Sequence, residues 1–241
     1  MRIIFSRKGF DSAAGGGASP IVDGAPVSLP IPSGGHSQTN YGDLGLGDLA
    51  SRASRGKLGA NDLCHHDPMF LGTGTCHFGQ CSAAQTHLQN QGVREGDTFL
   101  FFGLFRDEGT GEPHHRIFGY LEIEEIAELS AGAPTGLVEL GHPHALGMHG
   151  RNDRIYSGPG MTAARASDAL RLTVEGGPPS LWNRPAWLKP GGLSYHDRAD
   201  RWIRGGRLRS VARGQEFVAN IGQRNAPREW LEQILTEIRA S

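Results

Sequence analysis

Cysteine is scarce in this sequence, and long apolar stretches are missing. The 241 residues contain three cysteines, Cys64, Cys76 and Cys81. This small, odd number excludes a secreted disulfide framework and predicts reduced thiols packed in a core. No run of about eighteen apolar residues occurs, and no apolar leader with a small-residue cleavage site opens the chain. We therefore expect a cytoplasmic protein with no membrane partner.

Glycine and proline, in contrast, are plentiful, with 36 and 14 residues. Both form turns, so many short strands and loops are expected in place of long helices. A hydrophobic content of 37% is enough for one sizeable core. The expected fold is a single α+β domain over residues 1–241. It should have a central mixed or mainly antiparallel, barrel-like sheet, a few short helices and a packed C-terminal helix.

Apolar periodicity locates the main elements. The aromatic-rich run at 98–105 predicts a buried strand. A second apolar run at 117–123, after a polar turn, predicts that the two strands form a β-hairpin in the middle of the sheet. Apolar residues at helical spacing predict a C-terminal helix at 227–239. Further strands are expected at 2–6, 154–156, 169–174 and 216–219, and further helices at 43–58 and 80–91.

The net charge of −1 hides an asymmetry between the two halves of the chain. Residues 1–150 hold 9 Lys and Arg against 16 Asp and Glu, whereas residues 151–241 hold 15 against 9. Six arginines lie between positions 198 and 213, a density that could neutralise phosphates. The alternative is a solvated face that pairs with the acidic half.

Several motifs together resemble the nucleotide modification associated domain 3 family over nearly the whole chain. The motifs that carry this resemblance are Ser6-Arg7-Lys8-Gly9-Phe10-Asp11-Ser12, Pro20-Ile21, Leu29-Pro30-Ile31-Pro32, His66-Asp67-Pro68, the block from Ala84 to Gly103, His142-Pro143-His144, Ser180-Leu181-Trp182, Leu193-Ser194-Tyr195-His196 and Arg213-Gly214-Gln215-Glu216-Phe217-Val218. The sequence departs from the family pattern at 64–65 and 76–81, which argues against essential thiols.

The resemblance implies a role in modifying nucleotides or DNA bases, in the setting of phage and bacterial DNA hypermodification. The implied partners are a DNA or nucleotide substrate and other base-modification enzymes, and no cofactor is indicated. It also singles out the polar residues His196, Gln215 and Glu216 as site candidates. It supplies a setting for the reaction and does not define the reaction itself.

The opening motif places charged side chains directly after a predicted strand. Arg7 and Lys8 could bind a substrate phosphate, Asp11 could act as a general base, and Ser12 is grouped with them as a substrate-binding residue. Gly9 would let the backbone approach a ligand closely. The alternative is an acid–base surface pair that closes a turn.

Histidines supply the other candidates. His66 and Asp67 could form an acid/base pair, whereas His65 and Asp67 have the spacing of two metal ligands that need a distant third histidine. Four histidines could supply it: His142, His144, His149 and His196. His142 and His144 could converge on one phosphate or metal. With His144 as the third ligand, the expected metal set is His65, Asp67 and His144, and His144 and His196 are also candidates for catalysis. A solvent-exposed turn is the alternative for the pair at 142–144.

Trp182 and Arg213 complete the expected substrate-binding residues. A tryptophan among arginines could stack on a flipped base, although burial in the core is the rival interpretation. Three functions remain open on this evidence. They are an enzyme that adds a group to a modified base or removes one, a non-catalytic PUA-like reader of modified nucleotides, and a metal-dependent oxygenase or hydrolase using iron or zinc.

Overall fold

The computed structural model of the protein describes residues 1–35, 37–107, 111–147, 149–212 and 214–240. Its strands are β1 (Arg2–Arg7), β2 (Ser19–Val22), β3 (Ala25–Pro26), β4 (Met69–Phe70), β5 (Thr75–Gln80), β6 (Thr98–Asp107), β7 (Pro113–Glu122), β8 (Glu125–Glu128), β9 (Arg154–Thr162), β10 (Leu181–Asn183), β11 (Trp202–Ile203), β12 (Arg207–Arg209) and β13 (Glu216–Asn220). Its α-helices are α1 (Gly47–Ser54), α2 (Ser82–Asn90), α3 (Thr135–Glu139), α4 (Pro143–Leu146) and α5 (Asn225–Ala240).

The main sheet is a strongly curled half-barrel. Seven strands follow the order β13-β1-β6-β7-β9-β5-β4, and β2, β3 and β8 pair beside this path. Only the β1–β6 and β2–β6 pairings are parallel among the strands described. The expected α+β class, with a mainly antiparallel and barrel-like sheet, is therefore confirmed.

The β6–β7 hairpin lies in the middle of this path, as the aromatic run predicts. Side chains alternate between its two faces, because successive residues of a strand point in opposite directions. Leu100 and Phe102 enter one buried cluster, whereas Phe99 and Phe101 enter another. The sheet is thus covered by apolar packing on both sides.

Helix α5 packs against the cluster that contains Phe102, and its buried stripe is the one that the helical spacing predicts. The buried members of the stripe are Pro227, Leu231, Ile234, Leu235 and Ile238. Proline in the first turn is compatible with a helix because that N–H has no intrahelical acceptor. Neither α5 nor another helix in the described ranges is both long and apolar enough to cross a membrane.

Two local predictions need correction. The strand expected at 169–174 is a short 3-10 helix, Asp168–Leu170, followed by isolated bridges. Leu170 and Leu172 are buried there, but the Thr173 hydroxyl accepts the His115 N–H and donates to a carbonyl, which anchors the segment without a ladder. The helix expected at 80–91 begins at Ser82, because β5 continues to Gln80.

Candidate active site

A cavity of about 600 Å³ opens at the ends of β1 and β5. The curl of the sheet brings these strand ends together although β6, β7 and β9 separate them along the sheet path. The charged and polar side chains that line it are Arg7, Lys8, Asp11, Ser33, His65, Asp67, Gln80, Cys81, His144, His149 and Gln215. Motifs distant in sequence therefore meet around one space.

Asp67 is the centre of the histidine side of this cavity. Its Oδ1 accepts the Gly79 N–H at 2.9 Å and lies 3.4 Å from His142 Nε2. Its Oδ2 lies 3.6 Å from His65 Nε2 and 3.8 Å from His144 Nε2. One carboxylate oxygen is thus held by its surroundings, and the other faces two imidazole nitrogens.

Asp153, directly before β9, orients His144. Its Oδ1 lies 2.5 Å from His144 Nδ1, while its Oδ2 accepts the backbone N–H of His149 at 2.8 Å. If the neutral imidazole donates its Nδ1–H to this carboxylate, the lone pair of Nε2 is available to a metal ion on the side of Asp67. This carboxylate–histidine arrangement is typical of metal sites, where it fixes the tautomer and the orientation of the ligand.

Gly79 makes room for this arrangement. A Cβ atom at position 79 would lie 2.3 Å from Cδ2 of His144, much closer than atoms can pack. The same residue donates its N–H to Asp67. A larger side chain at this position would therefore displace one histidine and disturb the carboxylate that faces it.

Nε2 of His65, Oδ2 of Asp67 and Nε2 of His144 form a candidate metal-ligand set. Nitrogen or oxygen ligand atoms of these three residues lie within 4.8 Å of one another. A tetrahedral ion with bonds of about 2.1 Å separates its ligands by about 3.4 Å, and an octahedral one by about 3.0 Å. The distances of 3.6 and 3.8 Å from Asp67 are closer to the tetrahedral spacing.

Asp67 offers a permanent negative charge to such an ion. Burial by itself would raise the pKa of this carboxyl, but the imidazoles of His142, His65 and His144 outweigh that effect. They hold the pKa of Asp67 well below its usual range. The side chain is therefore a carboxylate at neutral pH, as metal ligation requires.

The cavity wall also contains Lys8, whose charge is already paired. Its Nζ lies 3.0 Å from Glu216 Oε1 and 4.2 Å from the centre of the Phe78 ring. The same carboxylate oxygen accepts hydrogen bonds from Ser6 and Gln80. Lys8 and Glu216 thus form a buried ion pair behind the cavity surface.

The rest of the opening motif is also engaged. The two terminal nitrogens of Arg7 donate hydrogen bonds of 2.7 Å to the carbonyl oxygens of Val211 and Ala212. Asp11 accepts two backbone N–H groups through Oδ1, which closes the turn that follows β1. Gly9 has a φ of 80°, and a Cβ there would lie 2.9 Å from Ser28 Oγ. The backbone at Gly9 therefore packs closely against the loop that contains Ser28.

Other residues proposed from the sequence lie elsewhere. His66 is half-buried and does not line the cavity, while Ser12 lines a neighbouring pocket with Arg52 and Arg106. His196 is buried, with Nδ1 2.8 Å from the Ser194 carbonyl. Arg213 lies outside the described residues.

Trp182 is 3% exposed and packs in the core beside Phe102, where its Nε1–H donates to Nδ1 of His115 at 3.0 Å. It does not line the cavity. Burial, together with the nearby Arg7 and His114, lowers the pKa of His115 to about 3.

His115 should make the fold sensitive to acid. Its lowered pKa in the folded protein means that the unfolded chain binds the proton more readily between about pH 6.5 and pH 3. Its contribution to stability should therefore fall by about 2 kcal/mol as the pH drops from 7 to 5. Urea unfolding of wild type and His115→Gln at both pH values should give a smaller pH dependence in the variant. Equal dependence would contradict this role.

Asp153 was not among the site residues proposed from the sequence, and His149 was one of four candidates for the third metal ligand. A second possible ligand group, His144, His149 and Asp153, shares His144 with the first. The spacing of His149 and Asp153 is a weak signal in a chain with 11 histidines. Cys64 and Cys76 do not line the cavity, and burial raises the pKa of both, whereas the partly buried Cys81 is part of the cavity wall.

Comparison with known proteins gives one match. The family model described as nucleotide modification associated domain 3 matches residues 2–220. No curated protein and no solved structure matches the chain. The matched range includes the cavity, Asp67 and the four histidines around it.

Proposed function

Because the chain belongs to the nucleotide modification associated domain 3 family, we propose that it is an enzyme of nucleotide modification that binds a divalent metal ion through His65, Asp67 and His144. The observation that carries this proposal is the orientation of the Asp67 and His144 side chains. In both residues one polar atom is fixed by the protein, and the other faces the same point in the cavity wall.

The charge around the cavity favours a cation at this point. Four carboxylates lie in its wall or directly behind it, those of Asp11, Asp67, Asp153 and Glu216, against the two cations Arg7 and Lys8. With neutral histidines these six residues carry two more negative than positive charges. A divalent cation would balance that excess and make the site compatible with an anionic nucleotide.

Three protein ligands would leave a coordination position open towards the cavity. A metal ion with an open position binds water or a substrate oxygen, lowers the pKa of bound water and polarises a carbonyl or phosphoryl group. The cavity of about 600 Å³ is large enough for a nucleoside-sized group. We therefore favour metal-assisted addition to, or removal of a group from, a modified base.

A non-catalytic reader fits this cavity less well. Proteins that hold an extruded base stack it on aromatic or apolar side chains. The lining residues in the described part of the chain include no Phe, Tyr or Trp. The cavity instead presents imidazoles and carboxylates, which suits chemistry better than stacking.

His144→Ala should abolish stoichiometric metal binding, because it removes one of the three ligands. Elemental analysis of purified wild type should show about one Zn²⁺ or Fe²⁺ per chain, as expected of a catalytic site with three protein ligands and an open position. The matched control is His87→Ala, since His87 contacts Ser194 on another part of the surface and should leave the metal content unchanged.

Activity can be tested with the same proteins. DNA containing modified bases is incubated with metal-loaded enzyme, digested to nucleosides and analysed by mass spectrometry. A mass change that depends on His144 and is lost with a chelator is expected. Metal-free wild type that converts the bases at full rate would refute the metal-dependent mechanism.

A further inference from the structure

We propose that the exposed face of the small sheet formed by β10, β12 and β11 binds the phosphate backbone of a polynucleotide and delivers it to the cavity. This face is defined by Arg204, Arg207 and Arg209. The inference deepens the proposed function and rests on it, because it names the substrate class as DNA or RNA strands in place of free nucleotides.

The three arginines share one exposed surface. Strand β12 alternates exposed Arg207, buried Leu208 and exposed Arg209, so the two guanidinium groups leave the same face of the strand. Arg204 is exposed in the turn between β11 and β12. Side chains two positions apart on a strand are about 6.6 Å apart, which lets them contact successive phosphates of one strand.

The charges of these three arginines are not neutralised by ion pairs among the described residues. Within the described ranges, none of the three arginines forms an ion pair, whereas the neighbouring Arg198 pairs with Asp200 at 2.8 Å. Within the described part of the chain, these three arginines therefore do not pair with the acidic half. An exposed set of unpaired guanidinium groups is the electrostatic footprint expected for phosphate binding.

The chain leads from the basic face to the cavity wall within a few residues. Ala212, three positions after Arg209, lines the cavity, as do Gly214 and Gln215. Arg7 fixes this connection by binding the carbonyls of Val211 and Ala212. A strand held on the face would thus be anchored beside the reaction centre, and a free nucleotide would gain nothing from charges outside the cavity.

The test is binding of a fluorescein-labelled DNA strand longer than about 16 nucleotides, measured by anisotropy between about 50 and 200 mM salt. The variant Arg207→Gln/Arg209→Gln should bind less tightly, and the slope of log K against log salt should become shallower by about two. The matched control, Arg94→Gln/Arg165→Gln, removes the same charge from exposed positions elsewhere and should bind like wild type.

Two further arms separate the possible outcomes. A nucleoside monophosphate in excess should fail to displace the strand, and displacement would assign the binding to a free-nucleotide site. Asp67→Asn should keep its affinity for DNA, and Arg207→Gln/Arg209→Gln should keep its bound metal. The metal site and the polynucleotide face can therefore be refuted independently. Equal affinity and slope in wild type and Arg207→Gln/Arg209→Gln would overturn the polynucleotide face.

Discussion

Asp67→Asn is expected to lower the affinity for Zn²⁺ by more than about a hundredfold while the protein stays folded. Asparagine keeps the oxygen that accepts the Gly79 N–H, so the local backbone should be preserved. It replaces the charged oxygen that faces His65 and His144 with an uncharged group. The affinity is measured by competition with a chromogenic chelator.

Asp153→Asn supplies the comparison, because Asp153 contacts His144 only on the side away from the proposed ion. Partners of metal ligands typically contribute about 10- to 100-fold in affinity. The expected order of affinity is therefore wild type, then Asp153→Asn, then Asp67→Asn. Equal affinities in all three proteins would show that the metal binds elsewhere.

Much of the fold follows from local sequence signals. The apolar hairpin in the middle of the sheet and the amphipathic C-terminal helix are long and strongly periodic, and both lie where the sequence predicts them. Strand β5 was missed because Cys76, His77 and Gly79 give it no apolar alternation. Its pairing with β9 is decided by contacts about 80 residues away in the chain.

The candidate site is predictable only in part for a related reason. The spacing of His65 and Asp67 identifies two possible ligands, but the sequence offers four histidines as the third. Tertiary structure distinguishes them: His144 faces Asp67, while His196 is held between Ser194 and Val211. The steric role of Gly79 likewise depends on where His144 lies, which local sequence does not encode.

Glu216 illustrates how burial changes the meaning of a charged motif residue. The sequence motifs predict that it binds substrate together with Arg7 and Lys8. In the structure its carboxylate is 1% exposed and binds Lys8, Ser6 and Gln80. We infer that the ion pair supports the cavity wall, and that a phosphate would have to compete with Glu216 for Lys8.

Glu216→Ala should therefore destabilise the protein by about 3–5 kcal/mol, because it leaves the ammonium of Lys8 buried without a counter-ion. The Lys8 side chain is 10% exposed, so water can replace the lost partner only in part. The free energy of unfolding is measured by urea denaturation at pH 7. Glu216→Gln should cost less, since its amide oxygen still accepts a hydrogen bond from Lys8.

A double-mutant cycle tests whether the cost arises from the ion pair itself. Lys8→Met removes the charge that Glu216→Ala leaves unpaired, so the double variant should be more stable than the sum of the single losses predicts, by about 0.5–3 kcal/mol. Strict additivity would mean that Glu216 stabilises the fold through Ser6 and Gln80 alone. In that case the ammonium of Lys8 would be available to a substrate phosphate, and Lys8→Met would weaken nucleotide binding without a matching loss of stability.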